Sequence, residues 1–457
     1  MQCNPLPLKD GPLAWLPFGK GYSLRILLDI SRWVYRSWRV TPTGIDRVEH
    51  AYVRHLINTD PDLTTFVLRG PAGIVVAVPH NLVRDMLATL DTRRLGEPGW
   101  EEAGKPGTWL AFFALARLGL LRDRQTLAPL LRSPGETVYL LVSHAGADRP
   151  GAIAALKRKG VKFVPLVHDL IPISFPEYAS VEGALRHRRR VDAFANLADG
   201  IIVNSNATAQ ELMPHLRQGP DGQPILCAPL GVDMPMPDAS HVSPADPYFV
   251  YIGTIEPRKN HLLLLNLWRG MVQRFGARAP KLILVGRRGW ENENILDMLD
   301  RCSVLNGKLV EYSGLPDQAV AKLMKGARAL LFPSFAEGYG LPLAEALALG
   351  VPAICSDLPA LREVGKGVPE YLDPLDGMGW QRLILDFARE DSPLRQAQLS
   401  RLESWSSPSW AHHFALVEPW LKQIVRAPAT KSEMRIANLA VGPAAKMPMP
   451  AQLTPRP

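Results

Sequence analysis

A carboxylate, a pair of glycines and the start of a helix stand together in Ser334-Phe-Ala-Glu-Gly-Tyr-Gly-Leu-Pro-Leu-Ala-Glu345. That order of residue types suits a grip on a phosphorylated ligand. Gly338 and Gly340 let the backbone approach a ligand closely, and a helix starting near Pro342 turns unpaired N–H groups and a positive dipole end toward an anion. Tyr339 and Leu341 share that loop. Glu337 and Glu345 are eight positions apart, so they can address two parts of one bound molecule. A purely structural turn with solvated glutamates is the alternative reading of this stretch taken alone. Three more loops of the same kind recur. Gly253-Thr-Ile-Glu-Pro-Arg258-Lys259-Asn260 offers a guanidinium fork and a point charge suited to a diphosphate, with Asn260 as a helix cap. Leu284-Val-Gly286-Arg-Arg-Gly-Trp290 supplies a further glycine turn, and Ser313-Gly-Leu315-Pro-Asp317 another, its Asp317 read as a helix cap.

These loops must be held by strands and helices, and the chain alternates the two. Apolar runs at 24–30, 138–142, 163–167 and 200–203 read as strands, each followed by a helical stretch. Proline-rich residues 229–247 mark a linker, after which strands are expected at 248–252, 281–285, 309–312, 327–332 and 352–355. The expectation is an α/β protein of two doubly wound, Rossmann-like domains with ligands at the carboxyl ends of the strands. The boundaries read as an extension over 1–22, an N-terminal domain over 23–235, a linker over 236–247 and a C-terminal domain over 248–404. A helix over 405–425 and a disordered tail over 426–457 follow.

At 457 residues two domains are the natural expectation, and 47% hydrophobic with 21% charged residues describes a soluble globular chain. The four cysteines (Cys3, Cys227, Cys302, Cys355) form neither a metal spacing nor a disulfide framework, which suits a reducing cytoplasm. Residues 1–22 lack the make-up of a signal peptide. The apolar stretch Trp109–Leu121 is too short to span a bilayer and reads as a core helix or a segment lying on a membrane surface. A formal charge of +8 favours anionic partners. The densest basic cluster, Arg186-His-Arg-Arg-Arg190, reads as a solvated face or a contact with an anionic membrane; no recognition pattern for nucleic acid accompanies it.

Taken together, Phe335-Ala-Glu337 through Glu345, the Glu-Pro-Arg-Lys-Asn run, Val167-His168-Asp169, Val203-Asn-Ser205 and Pro229-Leu-Gly-Val-Asp233 resemble the family 4 retaining glycosyltransferases of the GT-B fold over roughly residues 24–425. The resemblance implies that Glu345 holds the ribose of a nucleotide sugar. Glu337 and the amides of Gly338 to Leu341 would hold the sugar ring and phosphates. Arg258 and Lys259 would neutralise the leaving diphosphate, with His168 reaching the transferred sugar from the other domain. Gly253, Gly286 and Leu315 complete the expected donor site, and Gly44, ahead of a helix, fits a loop facing the donor phosphates. The stretch Thr43–Val48 resembles bacterial enzymes that build surface polysaccharides. Thr254 departs from the family, many members having arginine there. Fixed cations at the diphosphate make a metal unnecessary, and Asp60-Pro-Asp62 reads as a turn, so neither metal nor cofactor is expected.

On the acceptor side the candidates are His144, Asp46 and Arg47, each also readable as a core histidine or the polar face of a helix. The expected partners are a nucleotide-sugar donor, GDP-mannose by resemblance with UDP-sugars open, and a saccharide acceptor, lipid-linked, met on the inner-membrane surface from the cytoplasm. A GT-B phosphorylase and a non-catalytic nucleotide-sugar-binding protein are the other readings.

Overall fold

The computed structural model describes residues 24–37, 42–69, 75–96, 136–217, 222–237 and 247–426. The N-terminal extension, the Trp109–Leu121 stretch, most of the linker and the tail beyond Arg426 lie outside the described residues.

Runs rich in Leu, Ile, Val and Phe form the strands, the central ones buried on both faces as parallel strands covered by helices must be, the edge ones half-buried. In the first sheet these are β1 (Arg25–Asp29), β2 (Thr64–Arg69), β3 (Val75–Val78), β4 (Thr137–Leu141), β5 (Lys162–Val167), β6 (Ile201–Val203) and β7 (Ile225–Cys227), in the order β3-β2-β1-β4-β5-β6-β7. Only the β2–β3 pair is antiparallel among them. The second sheet comprises β8 (Tyr248–Ile252), β9 (Lys281–Val285), β10 (Leu309–Tyr312), β11 (Leu330–Phe332), β12 (Ala353–Ser356) and β13 (Glu370–Leu372), all parallel, in the order β10-β9-β8-β11-β12-β13. Two Rossmann-like sheets therefore stand where the sequence predicts them. β2, β3, β7 and β13 were not anticipated: each lies at or next to a sheet edge, is short or half-polar, and carries little apolar periodicity.

Strand order reverses between β1 and β4 in one sheet and between β8 and β11 in the other. A crevice opens at such a switch point because successive connections leave on opposite faces. The loops Gly253–Lys259 and Ser334–Gly340 follow β8 and β11, so the second domain's crevice is lined by the two stretches with the most chemistry.

The final helix runs from Trp410 to Arg426 rather than from 405, and it returns to the first domain. His413 is fully buried there, its Nε2 2.7 Å from the Tyr52 hydroxyl and its Nδ1 3.0 Å from the Pro229 carbonyl. The carbonyl can only accept, so Nδ1 carries the proton and Nε2 takes the tyrosine's. His55 stacks on Phe414 with ring centroids 3.6 Å apart and meets Glu418 at 2.6 Å. The chain is thus strapped back across its own domain boundary.

Two expected caps take other roles. Asn260 adopts a left-handed conformation, φ 56°, and its side chain donates to the Pro374 carbonyl at 2.9 Å instead of capping the helix His261–Phe275. Asp317 is inside the first turn of the helix Asp317–Lys325, where it receives Arg47 and Arg94. Asp60-Pro-Asp62 does form a turn, with the Leu63 amide bonded to the Asp60 carbonyl at 3.2 Å.

Candidate active site

Between the two domains lies a cleft of about 470 Å³. Every expected donor-site residue borders it: Gly44 from the first domain; Gly253, Arg258, Lys259, Gly286 and Leu315 from three loops of the second; Gly338 to Leu341 and Glu345 from the β11 loop and its helix. Glu337 and His168 face it as well.

Glu337 is the hub on the second-domain wall. It pairs with the Lys259 ammonium and stands 3.2 Å from Arg258 Nη1, while Glu256 holds the other arm of Arg258 at 2.7 Å. Burial works to neutralise Glu337, but the two cations outweigh it and hold its carboxyl below the usual range. Burial and then the Arg258 charge pull Lys259 down, with Glu337 opposing. Burial alone would lower Arg258, yet Glu337 and Glu256 keep it firmly charged. The β8 and β11 loops are also joined by backbone, the Phe335 amide donating to the Arg258 carbonyl at 2.9 Å. Arg258 is therefore braced without an arginine at position 254.

The turn into the helix Leu341–Ala348 is made at Gly340, whose φ of 99° excludes ordinary side chains. Pro342 sits in the first turn, where a missing N–H costs nothing. The helix start borders the cleft; the Leu343 and Ala344 amides close back on the Gly340 carbonyl at 3.0 and 3.2 Å, so the amide it can offer a ligand is that of its first residue, Leu341. Gly338 has a different task. A Cβ built there would overlap the His168 carbonyl oxygen and come within 2.8 Å of the Asp169 Cβ, so the two domains touch backbone to backbone. Ser205 Oγ and Thr208 Oγ1 donate to the Gly338 carbonyl at 2.8 and 3.2 Å across the same boundary.

His168 is the first domain's contribution. Its Nε2 lies 2.8 Å from the Val142 carbonyl, so that nitrogen carries the proton and Nδ1 is left as an acceptor. Burial pulls its pKa down to about 4, against the Val142 bond that favours the charged form. His168 can therefore accept a hydroxyl's hydrogen bond at neutral pH but carries no charge. Its carbonyl is held by Asn204 Nδ2 at 3.0 Å.

The structure sends the three acceptor-side candidates to different places. His144 does not border the cleft: it is buried behind His168, accepting the His168 amide on Nε2 at 3.0 Å, with the two rings tilted by 53° and their centroids 5.3 Å apart. Asp46 is consumed locally, closing a capping box with Thr43 and pairing with Arg32 and Arg36. Arg47 crosses the cleft to the second-domain residues Glu345 and Asp317, at 3.2 and 2.7 Å. The basic cluster divides too: Arg188 and Arg189 are exposed, while His187 is buried and donates to the Asp169 carbonyl at 3.2 Å.

Arg32, Arg36 and Arg287 also border the cleft and were given no role beforehand. The signal for the first two was present, as cations one helical turn apart directly after β1.

The buried imidazoles make stability pH-dependent. His168 and His413 stay neutral in the folded protein down to about 4, whereas an unfolded histidine protonates at about 6.5. As pH falls through that window the unfolded chain takes up protons first, so stability is lost from about pH 6.5 downward, at about 1.4 kcal/mol per unit for each histidine. Urea unfolding at pH 7 and 5.5 is expected to differ by about 3 kcal/mol from these two residues. Equal unfolding free energies at the two pH values would contradict this.

Residues 237–367 match the family model "Glycosyl transferases group 1". The chain is 30% identical over 248 residues to the serotype-specific mannosyltransferase WbdA of Escherichia coli, covering 50% of this chain and 30% of that protein. It is 36% identical over 163 residues to O-antigen chain mannosyltransferase B of Escherichia coli, covering 36% and 42%. The chain thus spans less than half the length of these curated relatives. Among solved structures, a sucrose-phosphate synthase from Thermosynechococcus elongatus aligns with a TM-score of 0.58 at 14% identity, over 89% of this chain and 100% of that one. Anabaena HepE in complex with UDP-glucose aligns with a TM-score of 0.55 at 14% identity, over 91% and 100%. Fold and comparisons agree on a GT-B architecture whose second domain, over residues 237–367, is similar to the glycosyl transferases group 1 model.

Proposed function

We propose that the protein is a retaining, metal-independent glycosyltransferase that moves a hexose, mannose, from GDP-mannose to a lipid-linked saccharide in bacterial polysaccharide synthesis. The observation that carries this reading is the meeting, in one cleft, of the Glu337–Lys259–Arg258 cluster and the Leu341–Ala348 helix start with His168 from the facing domain. The names of the relatives, two mannosyltransferases, support the choice of sugar.

Cleavage of the sugar–phosphate bond leaves charge on the diphosphate, and fixed cations with helix amides at that place lower the barrier without reorganising. Lys259, Arg258 and the amides near Gly340 take that role. Glu345 holds the ribose. Glu337, already anchored by Lys259, accepts hydrogen bonds from the sugar's hydroxyls and keeps the ring in place. The acceptor oxygen attacks from the face the phosphate leaves; its proton goes to the departing phosphate oxygen, so the configuration is retained. Neutral His168 contributes an acceptor for a sugar hydroxyl. Its charge state makes it unsuitable as a proton donor at neutral pH.

No helix among the described residues is long and apolar enough to cross a membrane. Peripheral attachment to the inner membrane's cytoplasmic face, through exposed Arg188 and Arg189, is part of the proposal.

The test is a panel of nucleotide sugars incubated with purified protein in chelator, reading release of nucleoside diphosphate with and without a membrane-lipid extract. Extract-dependent release from GDP-mannose, abolished in Glu345→Ala, is the expected result. Tight donor binding with no release from any sugar would replace this reading with a non-catalytic binding protein.

A further inference from the structure

The ion pairs at the cleft leave one residue whose position none of the loop chemistry explains. Arg47 belongs to the first domain, on the helix Gly44–Thr59, yet both arms of its guanidinium end on second-domain carboxylates. Nη2 meets Asp317 Oδ1 at 2.7 Å and Nη1 meets Glu345 Oε1 at 3.2 Å. Asp317 is held from its other oxygen by Arg94 at 2.9 Å, so the support of Arg47 is itself fixed. Glu345 is 5% exposed and Asp317 3%, and both belong to the same wall of the cleft.

We infer that Arg47 is a positioning residue of the donor site supplied by the opposite domain, orienting Glu345 toward the cleft so that the site is complete only when the two domains are closed. This rests on the reading of Glu345 as the carboxylate that receives the donor's ribose.

Three features carry it. The bond to Asp317 is the shorter of the two, so Arg47 keeps its place when Glu345 Oε1 turns partly to a ligand's hydroxyls. The second carboxylate oxygen of Glu345 is not used by Arg47, leaving an acceptor for a diol. The charges around Glu345 also need a cation: Asp317 and Asp233 act on it as anions, and Arg47 and Arg94 oppose them. Burial raises Glu345 above the usual carboxylate range, with Arg47 the largest opposing influence. Without Arg47, Glu345 takes up a proton at higher pH, and a protonated carboxyl loses the charge-assisted bonds that a hydroxyl pair makes to a carboxylate.

The experiment is calorimetric titration of GDP and of UDP into the wild-type protein, R47A and R47K, from pH 6 to pH 8.5, with melting temperatures of all three. The expected result is a loss of affinity of about tenfold or more in R47A at neutral pH, the order of one charge-assisted contact. The acid limb of binding should move to higher pH in R47A. R47K should recover part of both effects, since an ammonium restores the charge but not the two-armed fork. Unchanged affinity and pH profile in R47A overturns the inference, as does a loss that is equal at every pH and unrepaired by R47K, the mark of a merely structural contact. Binding of neither nucleotide by the wild type overturns the nucleotide-sugar reading itself, and this inference with it.

Discussion

Lys259→Ala is expected to lower kcat by about 10²- to 10³-fold, the cost of losing one preorganised charge at a site where negative charge develops. The residue is well placed for so large an effect. Its ammonium is buried, borders the cleft and pairs with Glu337. Truncation leaves Glu337 with Arg258 as its neighbouring cation, and Arg258 is already shared with Glu256. Breaking a buried pair by removing one partner costs about 3–5 kcal/mol, so a lower melting temperature should accompany the kinetic loss. Lys259→Arg separates the two effects, because it keeps the charge for Glu337 while displacing it from the point where an ammonium sits. Initial rates of nucleoside diphosphate release at saturating donor, for both variants, give the answer. A Lys259→Ala enzyme within threefold of wild-type kcat would remove Lys259 from the leaving-group site.

Gly338→Ala should cost about 100-fold in kcat/KM, for a geometric reason. The new methyl would occupy the space of the His168 carbonyl oxygen, and backbone atoms on both sides of the boundary have no rotamer with which to yield. The domains must then separate locally, pulling Glu337 and the amides of Tyr339 and Gly340 away from His168. Overpacking of this kind costs about 1–3 kcal/mol in stability, which is modest beside the catalytic loss. The diagnostic comparison is Gly44→Ala: a Cβ there would lie 3.4 Å from Leu341 Cδ1, an ordinary contact, so a much smaller penalty is expected. Kinetics of the two variants side by side, with small-angle scattering to read the domain separation, tests this. If Gly338→Ala and Gly44→Ala behave alike, close backbone approach at Gly338 is not what the site depends on.

The sequence was most legible where a local rule governs. Apolar runs such as Tyr248–Ile252 and Lys281–Val285 became strands with the expected bounds, because a strand buried on both faces needs only a short run of branched apolar residues. The glycine loops after β8 and β11 were legible for the same reason: a turn of φ 99° at Gly340 needs glycine, and a helix start tolerates proline at Pro342. Edge strands such as Ile225–Cys227 and Glu370–Leu372 were not, since half-buried triplets carry no period that separates them from loop.

What the sequence determined by itself is the set of glycines, cations and carboxylates that line the cleft, and the strand ends that carry them. Those follow from residue type and spacing within a few turns of chain. What only the tertiary structure decided is which groups face one another. His144 went behind His168 instead of into the cleft, Asp46 into its own helix cap, and Arg47 across to Glu345, 298 positions away along the chain. The final helix, from Trp410 onward, was likewise legible as a helix but not as a strap on the first domain. The physical reason is common to these cases. A side chain's charge and hydrogen-bonding capacity are local properties, but the partner that satisfies them is set by the packing of the two domains, and no spacing along the chain encodes that distance.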